Sequence, residues 1–175
     1  QKGTKMETKT KIISLLVIAI FISGCNSTMK LKDQPGVPVG LKVKRDIKVV
    51  YQIKTDGRKE NVGEGLYYVN KLVDAYEKLE ITESARQVHA VFHGDAGYWM
   101  LKDPAYAQES DENINPNKKI IRELLSKGVS LELCASTMKN HGWTPSDVLD
   151  GVTIVVGAYP RIIDLQMRGY TYIRF

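Results

Sequence analysis

Between residues 47 and 175, short apolar runs alternate with stretches in which apolar residues recur every three or four positions. That alternation leaves few architectures open. Ile47-Lys48-Val49-Val50-Tyr51-Gln52-Ile53 predicts a strand, closed by Thr55-Asp56-Gly57. Leu66, Val69, Leu72, Val73, Tyr76 and Leu79 then follow the period of a helix with one buried face. Residues 88–92 predict a second strand, broken by His93-Gly94-Asp95, with a short helix over 96–101 and a polar, acidic loop over 103–113. Asn115-Pro116 offers an N-cap and a proline at the first helical position; Ile120, Ile121, Leu124 and Leu125 supply the buried stripe and Gly128 the stop. A third strand spans 129–133 and ends at Cys134, and Thr144-Pro145-Ser146-Asp147 caps a short helix. Residues 152–156 predict a fourth strand, 160–168 a helix closed by Gly169, and 170–174 the last strand.

Parallel strands need a crossover of a dozen or more residues, and the amphipathic stretches supply one after each strand. The expected fold is therefore a three-layer α/β/α domain over residues 47–175, built on a parallel sheet. Sheets of this kind bind ligands at the carboxyl ends of their strands. Those ends are Thr55-Asp56, His93-Gly94-Asp95, Cys134-Ala135-Ser136 and Gly157-Ala158-Tyr159.

With 175 residues, 43% apolar and 26% charged, the chain suits one compact domain with an appendage and excludes a disordered or low-complexity class. The net charge of +5 hints at a polyanion partner until its residues are located. Lys2, Lys5, Lys9, Lys11 and Glu7 lie in the first 24 positions; without them 21 basic residues face 19 acidic ones. No nucleic-acid partner is expected from that balance.

The appendage reads as an address. Lys9 and Lys11 precede an apolar run over residues 12–22, about eleven long against the roughly 20 of a membrane-spanning helix, and Ser23-Gly24-Cys25 follows. Ile22-Ser23-Gly24-Cys25 resembles the bacterial lipobox, whose cysteine receives a diacylglycerol thioether and becomes the mature N-terminus. Residues 1–24 are read as upstream residues, with Met6 the start, and a lipoprotein signal peptide. Residues 25–46 are read as a lipidated N-terminus and a flexible tether rich in Pro35, Gly36, Pro38 and Gly40. Two or more acyl chains hold a protein stably on a bilayer. The expected location is the bacterial cell envelope, lipid-anchored on the periplasmic side, with Asn26 favouring the outer membrane in a diderm source.

Val91-Phe92-His93-Gly94-Asp95-Ala96, Asn115-Pro116 ahead of a helix, Gly128-Val129-Ser130-Leu131-Glu132-Leu133-Cys134, and Ala158-Tyr159-Pro160-Arg161-Ile162-Ile163-Asp164-Leu165-Gln166 running to Gly169-Tyr170 recur in one order. On these stretches the domain resembles the DsrE/DsrF-like family of sulfur-relay proteins. The resemblance implies a five-stranded parallel sheet in the order 4-3-2-1-5, homo-oligomers as trimers or hexamers, and, in sulfur-transferring members, a cysteine that carries a persulfide. Only Cys134 matches that cysteine. Sulfur-transferring members are mostly cytoplasmic and soluble, so donor and acceptor proteins do not carry over to an exported chain.

The residues add their own argument. Val129, Leu131 and Leu133 share one strand face, and Ser130, Glu132 and Cys134 the other, so the thiol is in phase with polar residues. A free thiol is a few per cent ionised at neutral pH, and the thiolate is the nucleophile. Free amides in the turn after Cys134, oriented by Ser136 or Thr137 starting a helix, would supply positive potential. In the implied strand order His93 ends the neighbouring strand and is placed to donate to the thiolate; the competing role for His93 is a structural one at the turn. Asp95, with Asp103, Glu109, Asp111 and Glu112, is a candidate to gate the site through the loop, against the plainer reading of a solvated loop, and His93, Asp95 and Ser136 are the expected binding residues. Cys134, Met138 and His141 together suggest a weaker third reading, Cu(I) binding. No phosphate-cradling glycine loop, HExxH or CxxC occurs, so neither a cofactor nor a metal is expected. Two functions stand: a sulfur carrier with a persulfide on Cys134, or a non-catalytic, lipid-anchored binding or scaffolding module.

Overall fold

The computed structural model describes residues 38–175. Cys25, the apolar run before it and most of the expected tether lie outside them; residues 38–46 are exposed and form neither helix nor strand. Strand β1 (Ile47–Ile53) leads into a hairpin of two-residue strands, β2 (Arg58–Lys59) and β3 (Val62–Gly63), absent from the sequence reading. Glu60 and Asn61 join them with φ of 49° and 64°, the sign that a two-residue hairpin turn requires at both central positions. Helix α1 (Glu64–Lys78) buries Leu66, Val69 and Val73 on the predicted stripe. Its start is pinned by Gly63, where a side chain would meet the Trp99 ring at 2.3 Å.

Strand β4 (Arg86–Phe92) is followed by a 3-10 helix over Gly94–Met100. Residues 103–109, read as loop, form helix α2 (Asp103–Glu109) instead. Pro104 sits in its first turn, Ala105 and Tyr106 bury its inner side, and Lys118 pairs with Asp103 at 2.5 Å. Helix α3 (Lys118–Ser126) begins later than Asn115-Pro116 suggests. Asn115 is buried, and its side-chain amide donates to the Trp99 and Leu101 carbonyls, both at 2.8 Å, so it ties two loops together rather than capping the helix. Strand β5 (Val129–Cys134) runs directly into helix α4 (Ala135–His141). Strand β6 (Thr153–Val155), helix α5 (Ala158–Met167) and strand β7 (Thr171–Arg174) complete the chain.

The five long-range strands lie in the order β6-β5-β4-β1-β7, every pairing parallel, which is the expected 4-3-2-1-5 arrangement. The inner strands β1, β4 and β5 alternate between two cores. On one face Tyr51, Ile53, Phe92, Leu131 and Leu133 pack with α1, α3 and Trp99. On the other, Val50, Val91, Cys134 and Val155 lie under Ala158, Ile162 and Leu165 of α5. The result is the three-layer α/β/α domain that the alternation predicts. Among the described residues no helix is long and apolar enough to cross a membrane.

Candidate functional site

Cys134 is the last residue of β5 and pairs with Val155 at the sheet edge, so it stands where two helices begin, α4 immediately after it and α5 just past β6. It is 4% exposed. Burial alone pushes its thiol up. Hydrogen bonding to the anion from the Thr137 amide, the Ala158 amide, the Thr137 hydroxyl and the Ser136 amide outweighs burial and brings the pKa below the ordinary thiol value. These amides fall in the first turns of helices, where no intrahelical acceptor exists for them. The free amides expected after Cys134 are therefore present at Ser136 and Thr137, and α5 adds one that the sequence reading missed, Ala158.

Thr137 also couples Cys134 to the next strand. The Gly94 amide donates to Thr137 Oγ1 at 3.1 Å, which leaves the hydroxyl proton free to face the sulfur. Gly94 has a φ of +54°, a backbone region that suits glycine.

His93 is placed differently from the expectation. It is buried beside the end of β5, but its Nε2 lies 2.8 Å from Gln52 Nε2, and its ring meets Tyr159 edge-on at 5.4 Å. Gln52 Oε1 accepts from the Tyr172 hydroxyl, so the Gln52 amide nitrogen donates and His93 Nε2 accepts, which places the imidazole proton on Nδ1. Burial, then Lys54 and Arg174, push the His93 pKa down, so the ring is neutral at pH 7. The groups that stabilise the thiolate are main-chain amides and Thr137, while His93 is held by Gln52. Asp95 is exposed in the first turn of the Gly94–Met100 helix, and among the described residues no hydrogen bond or ion pair engages its carboxylate.

The Cu(I) trio is not assembled. Met138 packs in the core on the opposite face of the sheet from Cys134, and His141 is exposed, stacked on Trp143 and 3.3 Å from Glu109 Oε2. Glu132, read only as a polar residue in phase with Cys134, anchors a buried cluster with Arg161, His89 and Ser130. Arg161 stands in one of the stretches that carry the family resemblance, but no local spacing ties it to Glu132, which lies 29 positions away on another element. An apolar cleft of about 560 Å³, lined by residues such as Leu41, Val43, Leu72, Tyr76 and Ile173, opens at the amino end of the sheet, opposite the thiol.

Fold and site together define a parallel α/β protein with, among the described residues, one buried free cysteine at the carboxyl end of an inner strand. The model of the DsrE/DsrF-like family matches residues 60–175, more than half of the chain, and the protein belongs to that family. Two solved structures share the fold. One is MTH1491 from Methanobacterium thermoautotrophicum, a protein of unknown function, with 22% identity and a TM-score of 0.55. The other is the ychN protein from E. coli, with 19% identity and a TM-score of 0.51. In both cases the match covers 74% of this chain and 100% of the other. No match was found among curated proteins.

Proposed function

We propose that this protein is a sulfur-relay protein of the bacterial cell envelope, anchored through a lipid on Cys25, that carries sulfane sulfur as a persulfide on Cys134. The observation that carries the reading is the place of Cys134 at the carboxyl end of β5, where α4 and α5 both begin and the Ser136, Thr137 and Ala158 amides and the Thr137 hydroxyl favour its thiolate. In the transfer step the thiolate attacks the outer sulfur of a donor persulfide R–S–SH. A new S–S bond forms at Cys134, the donor S–S bond breaks, and R–S⁻ leaves with the electron pair. Net redox state is unchanged, so the step needs no cofactor. The same amides that favour the thiolate favour the persulfide anion that follows it. With Cys25 committed to a thioether, no second thiol in the sequence is left to discharge the persulfide as a disulfide.

Homo-oligomerisation belongs to the same proposal. Tyr159, Ile163 and Met167 recur every four residues on the outer side of α5, next to Val156, and are 59–83% exposed. That is an unpartnered apolar stripe of the kind subunit interfaces cover.

Burial of Cys134 at 4% exposure favours the second reading, a lipid-anchored binding module with an incidental cysteine. Intact mass separates the two. The carrier gains sulfur atoms on exposure to polysulfide, and Cys134→Ser does not; a parent chain that gains none refutes the carrier.

A further inference from the structure

The register of the sheet sets three residues in a row. Ile53 pairs with Phe92, and Phe92 with Leu133, so the next residues, Lys54, His93 and Cys134, leave adjacent strands at one level. Ile53, Phe92 and Leu133 all point into the core beneath α1 and α3, and strand alternation turns their successors to the opposite face. With strands about 4.8 Å apart, the Lys54 and Cys134 backbones are about 10 Å apart with the buried His93 between them, so a lysine side chain and a small anion would meet the thiol from the rim above the imidazole.

Arg174 joins this face from the far side. It pairs with Gln52, the residue that holds His93, and it alternates in phase with Tyr172, whose hydroxyl donates to Gln52. Lys54 is exposed, and its side chain lies across Gly94: a Cβ there would stand 3.2 Å from Lys54 Cγ and 3.6 Å from Cε. Gly94 is the residue that fixes Thr137 under the sulfur. Among the described residues neither Lys54 nor Arg174 takes part in an ion pair, although Asp95 is exposed at the same rim. Both cations act on His93, consistent with their reaching this end of the sheet.

From this geometry we propose that Lys54, supported at longer range by Arg174 on the edge strand β7, forms an anion-recognition subsite at the rim near Cys134 that selects small, negatively charged sulfur donors over neutral ones. It rests on the relay reading for its substrate class. A thiolate attacking an anionic donor brings two like charges together, and two unpaired cations at the rim offset that repulsion and raise the encounter rate.

The test compares Cys134 alkylation by iodoacetate and by iodoacetamide in the full chain. Both reagents consume the same thiolate, so their rate ratio reports charge selection independently of thiol pKa. Lys54→Gln should lower the iodoacetate-to-iodoacetamide ratio about three- to tenfold, Arg174→Gln less, and added salt should erase the difference between parent and variants. Both positions are exposed, so the substitutions remove no core packing. An unchanged ratio in the Lys54→Gln/Arg174→Gln double variant overturns the subsite. So does a Cys134 that reacts with neither reagent, because a site closed to acetate-sized anions selects nothing. A ratio that falls as expected while polysulfide adds no mass retains the subsite and refutes the relay.

Discussion

Arg161 grips Glu132 at two points, Nε donating to Oε2 at 2.7 Å and Nη2 to Oε1 at 2.9 Å. The pair joins α5 to β5 two residues before Cys134, and so fixes the helix whose first amide, Ala158, stabilises the thiolate. Glu132 is 1% exposed. Burial pushes its carboxyl up, but His89, at 2.6 Å, and Arg161 outweigh burial and bring the pKa to about 2.

Removing one partner should therefore destabilise strongly. Arg161→Ala leaves a buried carboxylate without its cation, a loss of about 3–5 kcal/mol. The apolar double variant Glu132→Leu/Arg161→Leu should retain most of the stability. Because the folded pKa of Glu132 is depressed from 4.5 to about 2, its contribution is complete above the unfolded value and is lost as pH falls through that window. Thermal melts by circular dichroism from pH 7 to pH 2 should fall more steeply for the parent than for the double variant; parallel curves refute the assignment.

Thr137→Val keeps the shape of the side chain and deletes the hydroxyl. The Gly94 amide then loses its acceptor, at a stability cost of about 1 kcal/mol. The thiol pKa should rise, displacing the pH–rate profile of iodoacetamide labelling to higher pH. A profile that superimposes on the parent removes Thr137 from the site.

Ile163→Glu combined with Met167→Glu places two carboxylates on the exposed stripe of α5. Sedimentation at micromolar concentration should show a trimer or hexamer for the parent and a monomer for the variant. A parent that sediments as a monomer refutes self-association.

Cys25→Ala should leave the chain uncleaved or release it from membranes, measured by fractionation of cells expressing the full sequence. A variant processed and membrane-bound like the parent refutes lipidation.

The sheet was legible because each inner strand carries its own two-residue alternation, and the position of Cys134 followed from the last residue of one such run. The face it occupies was legible too, whereas its surroundings were not. Glu132 in phase with Cys134 suggested a wet face, yet α5 covers that face, and only Arg161 and His89 make a buried glutamate tenable. The order of strands juxtaposes His93 and Cys134, but the sequence could not show that Gln52 claims the imidazole first. Helix α2 was hidden by its acidic residues, although Pro104, Ala105 and Tyr106 carried a first-turn proline and an apolar side. The β2–β3 hairpin was hidden because Glu60-Asn61 lacks the glycine that usually marks such a turn.

Three of the four groups that stabilise the Cys134 thiolate are main-chain N–H groups. Their supply is set by where α4 and α5 begin, so the exposed side chain at 136 is free to drift, and the one at 158 is constrained by packing alone, while the chemistry at the sulfur persists. Proline is the exception, as the one residue type without an N–H. Ala158 is the first residue of α5, a position at which helices accept proline well. A single imino acid there would withdraw one of the four stabilising groups while leaving the helix standing, a vulnerability that lies in the path of the backbone and not in any side chain.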